Sequence, residues 1–179
     1  MKFIKIFLCT VLWILGLTLV YGISPIRPVR EVFTFTTIDA PRQQVWQVLT
    51  NFGAYPQWNP FYTDIDGSCA VGAHLHVRVQ LAERSLTYAT RIQTVTPQSE
   101  LTWSEEWMLP GLLDGEHRFA LETTDSGQTR FVQHDTYSGA LVPLVMGLYQ
   151  SQAEFGFRRM NNALKKRAEQ QDPGAGSGL

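Results

Sequence analysis

The sequence predicts an α+β fold: a curved antiparallel sheet gripping a long C-terminal helix, preceded by one N-terminal hydrophobic helix. Three observations predict it. Residues 6–23 carry no charge. Residues 31–138 hold a series of short alternating segments separated by turn formers. Residues 141–170 hold one long amphipathic stretch.

The charge-free run comes first. At about 1.5 Å per helical residue it just reaches across a hydrocarbon core of about 30 Å. Its polar side chains are confined to Cys9, Thr10, Thr18 and the ring edges of Trp13 and Tyr21, so it has no polar stripe and does not read as a buried soluble helix. Two readings remain for residues 1–24, a single-pass membrane anchor or a signal peptide. Length favours the anchor, and Val20-Tyr21-Gly22 offers no clean small-x-small cleavage site. Lys2 and Lys5 on one side nearly balance Arg27 and Arg30 on the other, so charge barely specifies orientation. The short N-terminal side is the easier one to retain in the cytoplasm. The domain is therefore expected outside it, periplasmic in a bacterium, or secreted if the head is cleaved.

After a linker at 25–29, one domain is expected over 30–171, followed by a disordered tail at 172–179 made of turn formers and small residues. Residues 31–38 alternate and are rich in Val, Phe and Thr, which predicts a strand. Asp39 is expected to cap a short helix whose face is Val45, Trp46, Val48 and Leu49. Residues 54–60 are too proline-rich for a long helix and suit a short turn packed by Tyr55 and Trp58. Strands follow at 61–65, 73–81, 85–95, 100–108, 115–124 and 129–138, with Asp66-Gly67 and Asp125-Ser126-Gly127 as turns. Leu75, Val77, Val79 and Leu81 share one face of their strand, and His74, His76, Arg78 and Gln80 the other. In the last helix Val145, Leu148, Gln152, Phe155, Met160 and Leu164 approximate the stripe that faces the sheet. A strongly curved sheet wrapped on a helix leaves a cavity suited to apolar ligands.

Composition removes several classes of function. A net charge of −1 gives no argument for nucleic acid. The basic cluster Arg158, Arg159, Lys165, Lys166 and Arg167 suits either anionic headgroups or a solvated helix face. The interleaved Glu154 and Glu169 favour the face. Cys9 and Cys69 form no pair within the domain. His74 and His76 share a face but lack further ligands at a metal-binding spacing, and no G-x-S-x-G elbow or phosphate-binding glycine pattern occurs. No metal and no cofactor is expected.

Ala40-Pro41 with Val45-Trp46, then Tyr55-Pro56-x-Trp58-Asn59-Pro60-Phe61, resembles the opening of the START-like helix-grip (SRPBCC) superfamily, in its polyketide cyclase/dehydrase-like branch. Glu100-Leu101-x-Trp103 and the segment 110–122 around His117 are similar to that branch, as are Thr129-Arg130-Phe131, Ser138-Gly139 with Pro143, and Asn162-Ala163-Leu164-Lys165. The resemblance covers about residues 30–169 and implies a curved sheet gripping a C-terminal helix over a cavity for lipids, sterols, quinones, polyketides or hormones. It carries no universal catalytic motif, so no catalytic residue is transferred.

Candidate site residues come from parity along the strands. His117 shares a face with Phe119 and Leu121, which places its ring either among ligand-facing groups as an acid or base, or in a structural bond to a neighbouring strand. Glu105 lies between Trp103 and Trp107 and reads as a desolvated carboxylate able to move protons, or as a strand-end group reaching solvent or Arg91. Trp58, Phe61, Leu75, Val77, Tyr88, Trp103, Phe119, Leu148 and Phe155 are the further candidates for contact with an apolar ligand. Three functions are carried in order. The first is a membrane-tethered binding or carrier domain for a small hydrophobic molecule (lipid, quinone or polyketide-like). The second is a cyclase or dehydratase using His117 and Glu105, and the third an assembly factor for a membrane protein. No protein partner is named by the residues.

Overall fold

The computed structural model describes residues 2–22, 24, 26–105 and 109–170. Helix α1, Lys2–Gly22, is exposed along almost its whole length. Then come β1 (Val29–Ile38), α2 (Arg42–Thr50), a 3₁₀ turn (Phe52–Gln57), β2 (Tyr62–Asp66), β3 (His74–Leu81), β4 (Arg84–Thr96), β5 (Glu100–Glu105), β6 (Asp114–Thr123), β7 (Thr129–Ser138) and α3 (Val142–Glu169). The seven strands form one antiparallel sheet in the order β1-β7-β6-β5-β4-β3-β2. All seven fall where alternation predicts them, since a half-buried strand must place every second side chain inside. β1 starts at Val29, inside the expected linker. The described part of β5 ends at Glu105; Glu106, Trp107 and Met108, expected on the same strand, and the tail at 172–179 lie outside the described residues.

Two local expectations are corrected. Asp39 does not cap α2: the N-cap position is Pro41, in an extended conformation and without a side-chain cap. The Pro41 carbonyl accepts from the backbone of Gln44 and Val45, while the Asp39 N–H is already taken by Glu169 at 2.7 Å. The second correction concerns α3. Its buried face is Val142, Met146, Ala153, Gly156, Phe157, Met160, Asn161, Leu164 and Ala168. Leu148 and Phe155 point away from the sheet, with 74% and 64% of their surface exposed, so neither lines the interior. Each residue turns a helix by about 100°, and the seam follows small residues rather than the largest hydrophobes. A Cβ on Gly156 would overlap the buried Phe61 ring. Only a glycine lets the helix sit that close to the sheet.

A polar strut fixes the middle of α3. Gln133 on β7 donates to Asn161 Oδ1 at 2.5 Å and to the Phe157 carbonyl at 3.2 Å, and Asn161 donates to Thr34 Oγ1 on β1 at 3.1 Å. Further along, Gln44 donates to the Ala168 carbonyl and Lys165 to the Thr37 carbonyl. The C-terminal half of α3 is thus tied to α2 and β1.

The other half of α3 begins at the opposite end of the sheet. There the β3–β4 turn, the β5–β6 connection, the start of β1 and the β7–α3 junction gather. Asp114 pairs with Ser138, which pairs with Val29. Gly139 N–H donates to Pro28 O at 3.1 Å, Ala140 N–H to Gly111 O at 3.0 Å and Leu141 N–H to Leu112 O at 2.9 Å. Gly139 has φ +130°, and a Cβ there would lie 2.6 Å from the Leu112 carbonyl oxygen, so the junction requires glycine.

Candidate functional site

Strand register places the site in two adjacent rows on the inner face. In the first row Ile92, Trp103, His117, Asp135 and Val32 are successive cross-strand partners on β4, β5, β6, β7 and β1. The second row lies one step nearer the gathered loops and runs Thr90, Glu105, Gly115, Tyr137. Gly115 leaves the space into which Glu105 leans: a Cβ there would stand 2.5 Å from Glu105 Oε2. Glu105 is accordingly 9% exposed and is neither a solvated strand end nor directed at Arg91, which sits opposite Ser104.

His117 and Asp135 are both buried, and His117 Nδ1 lies 2.6 Å from Asp135 Oδ1. The Tyr62 hydroxyl is also near Nδ1, at 3.2 Å. Nδ1 has one proton or one lone pair to offer, and the two contacts compete for it. The carboxylate is closer and charged, and two lone pairs 2.6 Å apart would repel, so in the neutral ring Nδ1 bears the proton and faces Asp135. Asp135 Oδ1 has no directed hydrogen bond among the described residues, so its short contact with Nδ1 is an electrostatic one. Asp135 Oδ2 accepts from the Tyr137 hydroxyl at 2.7 Å.

That tautomer leaves the lone pair on Nε2, which is buried and has no hydrogen-bond partner among the described residues. Trp103 Nε1 and Thr90 Oγ1, in the same two rows, are also buried without partners among the described residues. Aromatic rings wall the imidazole. Trp103 stacks on it at 5.5 Å between centroids, Phe119 lies at 4.2 Å, and Phe157 meets it edge-on at 4.9 Å.

The cluster grades outward. Tyr62 hydrogen-bonds Tyr88, whose surface is partly accessible, and Tyr149 on α3 is likewise partly accessible. Burial pushes the hydroxyls of Tyr62, Tyr88, Tyr137 and Tyr149 well above the ordinary tyrosine range, and the charges of Glu105 and Asp135 add to it. Each is therefore held as a neutral phenol able to donate. Burial raises Tyr55 too, whose hydroxyl donates to the Leu49 carbonyl at 2.7 Å.

A pH dependence follows with a definite sign. A hydroxyl whose folded-state pKa lies above its unfolded value contributes stability in full below about pH 10 and loses it as pH rises further. Each proton released only on unfolding costs about 1.4 kcal/mol per pH unit. Stability should hold level up to about pH 10 and then fall steeply, with phenolate absorbance appearing together with loss of circular dichroism. Phenolate absorbance rising by several tyrosines while the native dichroism persists would contradict these assignments.

Of the other candidates, Phe61, Leu75, Val77 and Phe119 are buried in the core, with Phe61 against Tyr62 and Phe157. Trp58 packs on Tyr55 at the 3₁₀ turn, away from the two rows. His74 and His76 are exposed on the outer face. Parity alone did not single out Asp135, Tyr62, Tyr137 and Tyr149. The signal for Asp135 was present, because it shares a face with Phe131 and Tyr137 and an acid between two inward aromatics must lie inside.

A curved sheet and grip helix enclosing a polar row within aromatic walls define a helix-grip protein of the ligand-binding or cyclase kind. The chain belongs to the family described as polyketide cyclase/dehydrase and lipid transport, whose profile matches residues 30–169. Similar solved structures include the Zhui aromatase/cyclase from Streptomyces sp. R1128, with a TM-score of 0.68 and 18% identity, covering 85% of this chain and 100% of that one. Norcoclaurine synthase from Thalictrum flavum gives 0.66 and 12%, covering 85% of this chain and 92% of that one. A Staphylococcus aureus protein of unknown function gives 0.63 and 11%, covering 82% and 97%. At these identities the likeness shows the fold. No curated protein matches the chain in sequence. One helix, α1, near the N-terminus, is long and apolar enough to be a membrane span or a signal sequence.

Proposed function

We propose that this chain is a membrane-tethered enzyme of the cyclase or dehydratase type, acting by proton transfer on a small hydrophobic, carbonyl-bearing molecule of polyketide-like character. The observation that carries this reading is His117, held through Nδ1 by Asp135 and presenting an unpartnered Nε2 inside an aromatic enclosure. A carrier needs only apolar walls and scattered polar groups, and it has no use for a carboxylate oriented on a buried imidazole. The family admits both activities, and two of the similar structures are of enzymes, which supports the reading only by analogy.

In this reading Nε2 removes a proton from the carbon beside a ligand carbonyl, and the electron pair moves onto the carbonyl oxygen. Neutral tyrosine hydroxyls such as Tyr62 and Tyr88 donate to that oxygen as its charge develops. Asp135 faces the imidazolium that results and stabilises it. The electron pair then returns from that oxygen to form a carbon–carbon double bond, the bond from the next carbon to its hydroxyl breaks, and the proton on Nε2 passes to that hydroxyl, which leaves as water. Nε2 is covered by rings in the described state, so a ligand reaches it by displacing one of them.

Native mass spectrometry of the full chain, released in detergent from its own membranes, tests for the enclosure. A discrete co-purifying small molecule with oxygen functions is the expected result. A clean protein mass that gains nothing on incubation with a membrane lipid extract would mean a filled core and favour an assembly factor.

A further inference from the structure

Leu148 and Phe155 belong to neither the core nor the site, and their exposure has a pattern. Leu144 and Leu148 are one turn apart on α3, 67% and 74% exposed. Leu109 in the β5–β6 connection is 59% exposed, and Ile26, before β1, 78%. The connection is bonded to the start of α3 through Leu141 N–H to Leu112 O at 2.9 Å. These leucines therefore lie on neighbouring segments at the end of the sheet where the loops gather.

Helix α1 arrives at the same place. Its last residue, Gly22, abuts Gly111 so closely that a Cβ would overlap the Gly111 carbonyl. A few residues later the Pro28 carbonyl accepts from Gly139 N–H at 3.1 Å. The chain is thus pinned at both points to the loops that carry the exposed leucines. Whatever surface α1 enters lies against this end. The second row, with Glu105 and Tyr137, is the row nearer this end, and the partly accessible Tyr88 lies on the β3–β4 hairpin that reaches past it.

We propose that this end of the domain docks on the lipid bilayer that α1 enters, with Leu109, Leu144 and Leu148 seated in the interface. The ligand then passes between membrane and site without crossing water. The inference rests on the membrane-tether reading. The occupant is a lipid surface because the patch is continuous with an exposed helix that carries no charge from Ile6 to its end at Gly22. Phe155 lies about 16 Å along α3 from Leu144 and carries the Arg159 guanidinium 5.8 Å from its ring, an arrangement suited to headgroup level.

The test uses the full chain in phosphatidylcholine vesicles, with a small fluorophore on single cysteines and nitroxide quenchers on either the lipid headgroup or the acyl-chain end. Native Cys9, in a Cys69→Ser background, reports whether α1 is in the bilayer. Leu144→Cys and Leu148→Cys, with both native cysteines changed to serine, report docking. Val71→Cys, exposed at the opposite end of the sheet, is the control. All four positions are at the surface or partly so, and folding is checked by circular dichroism. We expect acyl-chain quenching of Cys9 and headgroup quenching of Leu144→Cys and Leu148→Cys several-fold above Val71→Cys. Quenching at Cys9 with Leu144→Cys and Leu148→Cys no different from the control would overturn docking and leave the tether standing. Quenching at those two positions without Cys9 would sink the tether and, with it, the proposal that this end meets the bilayer α1 enters. Quenching at none of the three would overturn both.

Discussion

Asp135→Ala should unfold about 2–4 kcal/mol more readily than the wild type, since a buried donor that loses its acceptor costs about 1–3 kcal/mol and two donors are affected. Asp135 is 1% exposed and answers two groups at once, His117 Nδ1 at 2.6 Å and the Tyr137 hydroxyl at 2.7 Å. Alanine leaves the Tyr137 hydroxyl without its acceptor where water does not reach, and leaves Nδ1 only the Tyr62 hydroxyl at 3.2 Å. Asp135→Asn keeps one oxygen able to accept from either group and should lose clearly less. Denaturant titration followed by tryptophan fluorescence checks both variants. Equal, small losses in the two would mean that the carboxylate is not the anchor of the inner row.

The second large effect is on chemistry. His117→Gln should keep an apolar ligand bound within a few-fold and lower catalysed proton transfer by about 10²–10⁴-fold, the usual contribution of a positioned acid or base. Binding survives because Trp103, Phe119 and Phe157 supply the walls around the imidazole. Catalysis does not, because glutamine offers no lone pair of comparable basicity. Deuterium exchange at the acidic carbon of benzoylacetone, an aromatic β-diketone, measures the effect without knowledge of the natural substrate. Bound benzoylacetone that exchanges at the solution rate with wild type and His117→Gln alike would return the carrier reading to first place.

The sequence showed the strands more clearly than the site. Seven strands were legible because alternation reports directly on which side of a sheet is buried. The inward position of His117 followed from the same parity with Phe119 and Leu121. Its partner did not, because Asp135 reaches His117 through the pairing of β6 with β7, and cross-strand register is a tertiary property. Of the two readings of His117, the bond to a neighbouring strand is seen in the structure, and the ligand-facing one belongs to the proposal. Nδ1 has the neighbour, and Nε2 has no described partner. The face of α3 was misjudged for another reason. Counting large hydrophobes selected Leu148 and Phe155, whereas the sheet accepts the side where Ala153 and Gly156 allow close approach. The displaced leucine became the clue to a surface rather than to a cavity.

The proposed chemistry requires that the proton of the neutral His117 ring sit on Nδ1. Nitrogen NMR of the histidine-labelled full chain answers this directly, with the His117 signals identified by their loss in His117→Gln. The expected result is a protonated Nδ1 facing Asp135 and a bare Nε2 whose resonance moves when ligand binds. A proton on Nε2, with Nδ1 accepting from Tyr62, would contradict it and leave the imidazole as a structural group.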